Sequence, residues 1–292
     1  MKFILVNEME YDNILLSALF AGLVAIFATI VIEKFGGIIG GIIGTVPTTI
    51  VPAAAFIWIA DSNQSSFESS MGMVPVGMLL NSFFLWLWRF TPQKIPDWNF
   101  PIRLGAIATI NLIFWFLGAA IAVTIFSDED PILVGCSALG LGLIFGRWAT
   151  RGFHPAPSGK NKVSLVVLFS RGIAAAIAIG VAVWLSQQGS PLLAGIASVF
   201  PAIFLTTMVA LWISQGEKVP SGAVGPMMLG SMSVSLYALA ATIFIPLNGI
   251  IIGSLISWFV SLLFISIPVA FGFHLSSSFF KESEVLTKID SS

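Results

Sequence analysis

The sequence GGIIGGIIGTVPTTIVP, at residues 36–52, is apolar enough for a membrane interior but cannot form one regular helix. A weaker copy, LAGIASVFPAIFLTT, follows at residues 193–207. Because proline lacks an N–H group and its ring clashes with the carbonyl four residues back, we expect the helix to be bent or interrupted at Pro47 and at Pro201. The freed backbone groups then need a partner at membrane depth, in a neighbouring helix, a nearby hydroxyl or a water-filled cavity.

Two interpretations of these paired elements are open. Interrupted helices at matching positions of two halves are typical of the substrate site of a secondary transporter. Alternatively, the two elements are proline-kinked packing helices whose small residues allow close helix contacts.

The composition indicates a polytopic membrane protein. Hydrophobic residues make up 57% of the chain, charged residues make up 9%, and the mean hydropathy is +0.98, which excludes a soluble globular domain. The single cysteine, Cys136, excludes an intrachain disulfide and a cysteine-based zinc site. Paired acids, a nucleophile with its base and a phosphate-binding motif are also missing from the sequence. We therefore expect neither a cofactor nor enzymatic activity.

The apolar segments predict an all-α polytopic membrane protein with nine transmembrane helices. Each segment is near the roughly 20 residues needed to cross a bilayer. Their approximate ranges are 13–33, 37–60, 69–88, 104–126, 131–145, 163–185, 191–214, 221–244 and 249–273. Residues 89–103, with three prolines, are expected to form a polar connection.

Charge placement gives an independent test of this count. With nine spans, every basic residue except Lys2 falls on or toward one side, and that side should be the cytoplasm. The opposite face collects Asp61, Glu68 and the acidic turn 128–130. We therefore expect an integral protein of the plasma (inner) membrane, with its amino terminus outside and its carboxy terminus in the cytoplasm.

An internal repeat relates the two halves of the chain. The copies begin five spans apart, an odd number, so the second copy is expected to lie upside down relative to the first, in a 4+1+4 inverted-repeat plan. The expected parts are a first four-helix repeat at 13–126, a linker helix and cytoplasmic loop at 127–162, a second repeat at 163–274 and a polar tail at 275–292. A shift of 154 residues aligns Pro47 with Pro201 and Trp58 with Trp212, and a shift of 150 aligns Gly72 with Gly222 and Met78 with Met228.

The repeated unit also carries a resemblance to a known family. It consists of a helix, the motif Gly-Gly-x-x-Gly-x-x-Pro, an aliphatic run, Ile-Trp-Ile, a short acidic loop and two more helices. This unit resembles the GlpM-like group of small, four-span inner-membrane proteins, over residues 15–123 and 165–273 and best over 201–216. The resemblance implies a fused duplicate in which the extra helix at 132–145 inverts the second copy. The role of that group is unassigned, so the resemblance supplies no substrate.

Polar groups beside the breaks predict the kind of solute. The predicted spans hold no aspartate or glutamate at hydrocarbon depth, which argues against a proton or sodium site built from carboxylates. Half-helices beginning near the prolines would point N–H groups and positive dipole ends at a cavity, which favours an anion or the carboxylate of a zwitterion. Alternatively, each hydroxyl bonds a carbonyl of its own helix. The predicted substrate site comprises Thr45, Pro47, Thr48, Thr49, Asn81, Arg171, Ser198, Pro201, Thr206, Thr207 and Ser231.

Arg171 has two interpretations that depend on where its helix begins. If the helix begins at Val163, the residue lies about 12 Å in, and an intramembrane charge indicates a functional site. If the helix begins nearer Val167, the side chain reaches the cytoplasmic interface as an ordinary anchor.

Two other functions are open. Methionines recur in both repeats, and thioethers bind soft metal ions, although methionine is also an ordinary gap-filling residue. A lipid-handling or structural role is the other alternative. The expected partners are a small solute and membrane lipids, without nucleic acid, and homodimerisation is left open. The methionines concerned are Met71, Met73, Met78, Met227, Met228 and Met232.

The nine-span topology is tested by cysteine labelling in sealed cells. Cysteines placed at Ser62 and Asp128 should react with an impermeant reagent added from outside, and a cysteine at Ser158 should be protected. An accessible cysteine at Ser158 would contradict the topology.

Overall fold

The computed structural model describes residues 2–35, 46–151, 164–215 and 218–272, and within these ranges the chain is helical apart from short connections. Among the described residues, six helical segments are long and apolar enough to cross a membrane, which confirms the all-α class and is compatible with a membrane-embedded protein. The nine-span inverted-repeat plan stays a prediction. The helices are α1 (Lys2–Phe35), α2 (Ile50–Ala60), α3 (Gln64–Lys94), α4 (Phe100–Ile125), α5 (Pro131–Ala149), α6 (Leu165–Gln187), α7 (Pro191–Ser198), α8 (Ala202–Gln215) and α9 (Lys218–Ser261), followed by a π-helical turn at Leu262–Ser266.

Several expectations concern residues outside the described ranges. They are the glycine-rich stretch 36–45 with Thr45, most of the loop 147–162 with Ser158, and the tail 275–292.

Short polar residues set where two helices begin. The Asn63 side-chain oxygen accepts hydrogen bonds from the N–H groups of Ser65 and Ser66 at the start of α3. At the start of α5, the Asp130 carboxylate accepts from Ile132 and Leu133, at 2.9 and 2.8 Å. Each cap satisfies N–H groups that a helix leaves unpaired at its first turn. The acidic turn before α5 is therefore also its helix start.

Gly249 reverses the direction of α9. Its φ is 77°, a backbone conformation that residues other than glycine rarely adopt. A Cβ placed on Gly253 would overlap the Phe244 carbonyl, so the arms 218–248 and 250–261 fold back on each other. The two segments predicted at 221–244 and 249–273 meet at this turn.

The connection predicted at 89–103 is shorter in the structure. Helix α3 continues through Pro92 to Lys94, and α4 begins at Phe100. Two arginines hold this end of the molecule. Arg89 donates to the Ala149 carbonyl at 2.9 Å, and Arg103 donates to the Pro92 carbonyl at 2.9 Å.

Helix α3 occupies the centre of the molecule. Its apolar window is 72% buried, against 44% or less in the other five long apolar segments. Helix α5, the predicted linker, packs against both α3 and α9. A Cβ placed on Gly135 would lie 2.7 Å from the Gly72 carbonyl oxygen, and Gly142 lies against Met232. The linker helix thus contacts the long helices of both halves.

Helices α1 and α6 cross antiparallel through small residues. A Cβ placed on Gly22 would lie 3.0 Å from the Gly172 carbonyl oxygen and 3.4 Å from Cβ of Ala176. Further along, Gly180 lies beside Ala18. Small residues let two helix backbones approach closely in a membrane, where helix association depends on packing.

Helices α7 and α3 approach each other closely at Gly195. A Cβ placed on Gly195 would overlap the Ser70 carbonyl, whereas a Cβ on Gly140 would meet no described atom within 4 Å. We expect Gly195→Ala to destabilise the fold by about 1–3 kcal/mol through overpacking. Gly140→Ala should be neutral or stabilising, because alanine favours a helix by roughly 1 kcal/mol. Unfolding of both variants in detergent measures the difference, and equal stabilities would contradict the close packing.

Candidate functional site

The helix interruption expected at Pro201 is present. Helix α7 ends at Ser198, and α8 begins at Ala202. Between them the chain tightens, with the Val199 N–H bonded to the Ile196 carbonyl at 3.2 Å and the Phe200 N–H bonded to Ala197 at 3.1 Å. These three-residue bonds close the last turn of α7 without continuing the helix.

Asn81 of α3 binds the backbone at this break. Its side-chain N–H group donates to the Val199 carbonyl at 2.7 Å, across 118 residues of sequence. The same amide also approaches the Met78 sulfur at 3.5 Å, and its oxygen accepts from the Trp115 indole N–H at 2.8 Å. Since Asn81 is only 1% exposed and both ends of its amide are engaged, its role in the structure is to hold the break.

Aromatic rings cover the break on the side of α4. The Phe200 ring lies edge-on to Trp115, with ring centroids 5.3 Å apart, and 5.8 Å from the ring of Phe116. Such edge-to-face pairs add stabilisation beyond the area they bury. The break is thus packed on one side and hydrogen-bonded through Asn81 on another.

The described residues around Pro47, 46–49, are non-helical and face the same core. Pro47 is buried, the residues around it are non-helical, and α2 begins at Ile50. Thr48 and Thr49 are half-buried, and Thr49 precedes α2 without a side-chain capping bond. Ile50 and Val199 belong to one buried apolar cluster, so the start of α2 and the break before α8 border the same interior.

Arg171 lies between its two expected positions. Helix α6 begins at Leu165, so Arg171 is six residues, or about 9 Å, along it. Its guanidinium is half-buried and donates to the Thr207 hydroxyl of α8 at 2.9 Å. This bond brings together two of the predicted site residues and ties α6 to the helix that follows the break.

Three other predicted hydroxyls bond carbonyls of their own helices. Ser198 donates to Gly195 at 2.7 Å, Thr206 to Ala202 at 2.9 Å, and Ser231 to Met228 at 2.9 Å. This is the alternative that the sequence left open for each of them. In the structure these hydroxyls therefore satisfy local backbone.

Two residues near the break, Trp115 and Tyr237, were not predicted from the sequence as site residues. One is Trp115, whose indole N–H donates to Asn81. A tryptophan inside an apolar span needs an acceptor for its N–H group, and this need could have indicated Trp115 from the sequence. The other is Tyr237, fully buried in the cluster that contains Ile50 and Val199. Its hydroxyl approaches Ser254 on the other arm of α9, and neither hydroxyl has a well-formed hydrogen bond within the described ranges.

The methionines divide between two apolar clusters, and each cluster contains methionines from both predicted repeats. Met78 and Met232 lie with Tyr237, whereas Met73 and Met228 lie in a second cluster around Trp88. This distribution is typical of core packing.

The fold and the site define a class: a helical protein with segments long and apolar enough to cross a membrane, whose core contains an interrupted helix bonded to a buried amide. Comparison of the chain with protein-family models, curated proteins and solved structures gives no match. The resemblance to the GlpM-like group stays an expectation that rests on the sequence motif.

The network at the break predicts a coupling between Asn81 and Trp115. Asn81→Leu leaves the Val199 carbonyl and the indole N–H buried without their partner, and each unsatisfied group costs about 1–3 kcal/mol. Trp115→Phe should cost less in the Asn81→Leu background than alone, because the acceptor is already gone.

The four free energies of unfolding in mixed micelles measure this coupling. Ser82→Ala is the matched control, since its hydroxyl bonds only the Met78 carbonyl one turn back. Additive losses would show that Asn81 and Trp115 act independently.

Proposed function

We propose that the protein is a secondary transporter that binds a small anion or zwitterion near the membrane midplane, between its two interrupted helices. The observation that carries the proposal is that the start of α2, just after Pro47, and the break before α8, at Pro201, border one buried cluster that contains Ile50 and Val199. The breaks at Pro47 and Pro201 and the polar groups around them support the position of the site.

The antiparallel contact of α1 with α6 is compatible with the 154-residue shift of the sequence. That shift makes Gly22 equivalent to Ala176, and these two residues contact each other. The same antiparallel packing brings Ala18 to Gly180 and Ile26 to Gly172. The Cβ of Ala18 lies 3.4 Å from a Cβ placed on Gly180, and Ile26 lies 2.7 Å from one on Gly172.

Under the proposal, the two-fold axis that relates the inverted repeats passes near Gly22 and Ala176. Because α1 and α6 are antiparallel there, the axis lies across the helices and hence in the membrane plane. Inverted repeats related by such an axis are the usual plan of secondary transporters, and α5 supplies the odd crossing that inverts the second copy. Rocking one repeat against the other would then expose one central site to each face in turn.

The polar groups near the breaks favour a solute with a negative charge. Helices α2 and α8 both begin directly after a break, and a helix start carries unpaired N–H groups and a positive dipole end. Arg171 adds a guanidinium on the neighbouring helix, bonded to Thr207. Tyr237 adds a buried hydroxyl in the same cluster, and a polar group at that depth is stabilised by water or a polar solute.

The proposal keeps the orientation given by the charges. The amino terminus faces outward, the basic side faces the cytoplasm and the membrane is the plasma (inner) membrane. Asn81 enters the proposal as the residue that positions the break, and the ligand groups are expected among Thr48, Thr49, Arg171 and Thr207. Thr45 keeps its predicted role, in a segment outside the described ranges.

A pair of adjacent threonines tests the site. Thr207→Val removes a hydroxyl that accepts from Arg171 while keeping the side-chain shape, and a hydrogen bond to a charged group contributes about 1.5–3 kcal/mol, or about 10- to 150-fold in affinity. Thr206→Val is the matched control, because its hydroxyl bonds its own helix. Thermal shift of the purified protein over a panel of anions and amino acids identifies a solute, and uptake of that solute into proteoliposomes compares the variants.

We expect Thr207→Val and Arg171→Gln to lose solute-dependent stabilisation and uptake, while Thr206→Val keeps both. The melting temperature without solute serves as the folding check for each variant. Full uptake by Thr207→Val and Arg171→Gln would place the solute elsewhere, and a panel without any stabilising or transported solute would overturn transport itself.

A further inference from the structure

A groove of about 760 Å³ runs along the outer surface between α3 and α5, away from the breaks. Most of its wall is apolar, and several wall residues are strongly exposed: Ile144 is 69% exposed and Leu141 is 57% exposed. The groove ends at two arginines. Its lining consists of Leu79, Phe83, Leu141, Leu143, Ile144, Phe145, Arg147, Trp148 and Arg151.

The charged end of the groove lies where α3 and α5 both end, because the two helices run in the same direction. Gly72 meets Gly135 near the start of both helices, and Arg89 meets Ala149 near their ends. Leu141 and Arg147 are six residues apart, about 9 Å along α5, and Arg151 follows two residues after the helix ends at Ala149. This length fits within one leaflet, which is half the roughly 30 Å hydrocarbon thickness of a bilayer.

Aromatic rings form the wall next to the charged end. The rings of Phe145 and Trp148 stack with centroids 5.9 Å apart, and Phe83 lies 4.6 Å from Phe145. The ring centroids of Trp86 and Trp148 are 6.4 Å apart. Tryptophan is enriched where lipid headgroups meet the acyl region, so this ring cluster indicates the level of the membrane interface.

The charged end is suited to an anion. Arg147 lies in the last turn of α5 and Arg151 lies two residues beyond the end of that helix; both are exposed, and all nine lining residues lack a carboxylate. Carbonyls at the end of α5 are already bonded, since Ala149 accepts from Arg89 and Arg147 accepts from the Thr150 hydroxyl. The negative end of the helix dipole is therefore partly compensated beside the two guanidinium groups.

From this arrangement we infer that the groove binds an anionic phospholipid. One acyl chain lies against Phe83, Leu141 and Ile144, and the phosphate is held by the guanidinium groups of Arg147 and Arg151. Basic pockets between membrane helices on the cytoplasmic side bind anionic headgroups in this way. A soluble anion needs only the two arginines, whereas the lipid also covers the apolar wall. The inference does not depend on the proposed transport function.

The test counts the lipid bound to the purified protein. Native mass spectrometry in mild detergent, with phosphatidylglycerol or phosphatidylcholine added, gives the number retained and the apparent affinity. We expect one phosphatidylglycerol per chain, and about a thirtyfold weaker affinity in the double variant Arg147→Gln/Arg151→Gln, because each basic residue near an anionic headgroup contributes roughly a fivefold effect. Arg103→Gln is the control, since Arg103 pairs with Asp97 outside the groove.

A second arm separates the apolar wall from the charged end. Ile144→Asn should weaken phosphatidylglycerol binding while leaving both arginines in place, and inorganic phosphate alone should not displace the lipid. Equal retention of phosphatidylcholine, unchanged binding by the double arginine variant or displacement by inorganic phosphate would each overturn the inference. A dimer that dissociates in the double variant would also overturn it, because the groove would then hold a second copy of the chain.

Discussion

The structure depends on one requirement: a carbonyl released by an interrupted helix in an apolar interior must receive a hydrogen bond. Here the carbonyl belongs to Val199, and its donor is Asn81 on the central helix α3. Asn81 reaches it only because Gly195 and Gly77 let α7 lie directly on α3. Trp115 then fixes the orientation of the amide, so the side chain of Asn81 is hydrogen-bonded to both α4 and the broken helix.

Much of this arrangement was predictable from local sequence. Pro201 correctly predicted an interruption, and the residues at Pro47 are non-helical, because the effect of proline on a helix depends only on its own ring and the missing N–H group. The pairing of Arg171 with Thr207 brings together two residues that were predicted as parts of one site. The extent of the apolar segments predicted most helix boundaries. Helix α3, however, continues past its predicted boundary to Lys94, where Arg89 and Arg103 bind neighbouring carbonyls.

Other features depend on pairings that sequence patterns do not contain. Asn81 was predicted beside the solute, yet its partner lies 118 residues away and is a main-chain group. The hydroxyls of Ser198, Thr206 and Ser231 find acceptors three or four residues back, a choice that residue type leaves open. The groove between α3 and α5 was not predicted, because it depends on how two helices far apart in sequence lie side by side.

The reversal at Gly249 has a consequence for the order in which the fold forms. The entropy lost on closing a loop grows with its length, and the turn between the arms of α9 is nearly as short as a chain allows. Contacts such as that of Gly253 with Phe244 span only nine residues, whereas the bond from Asn81 to Val199 spans 118. We therefore expect the arms of α9 to associate at small entropic cost, as a helical hairpin that forms before the distant break finds its partner.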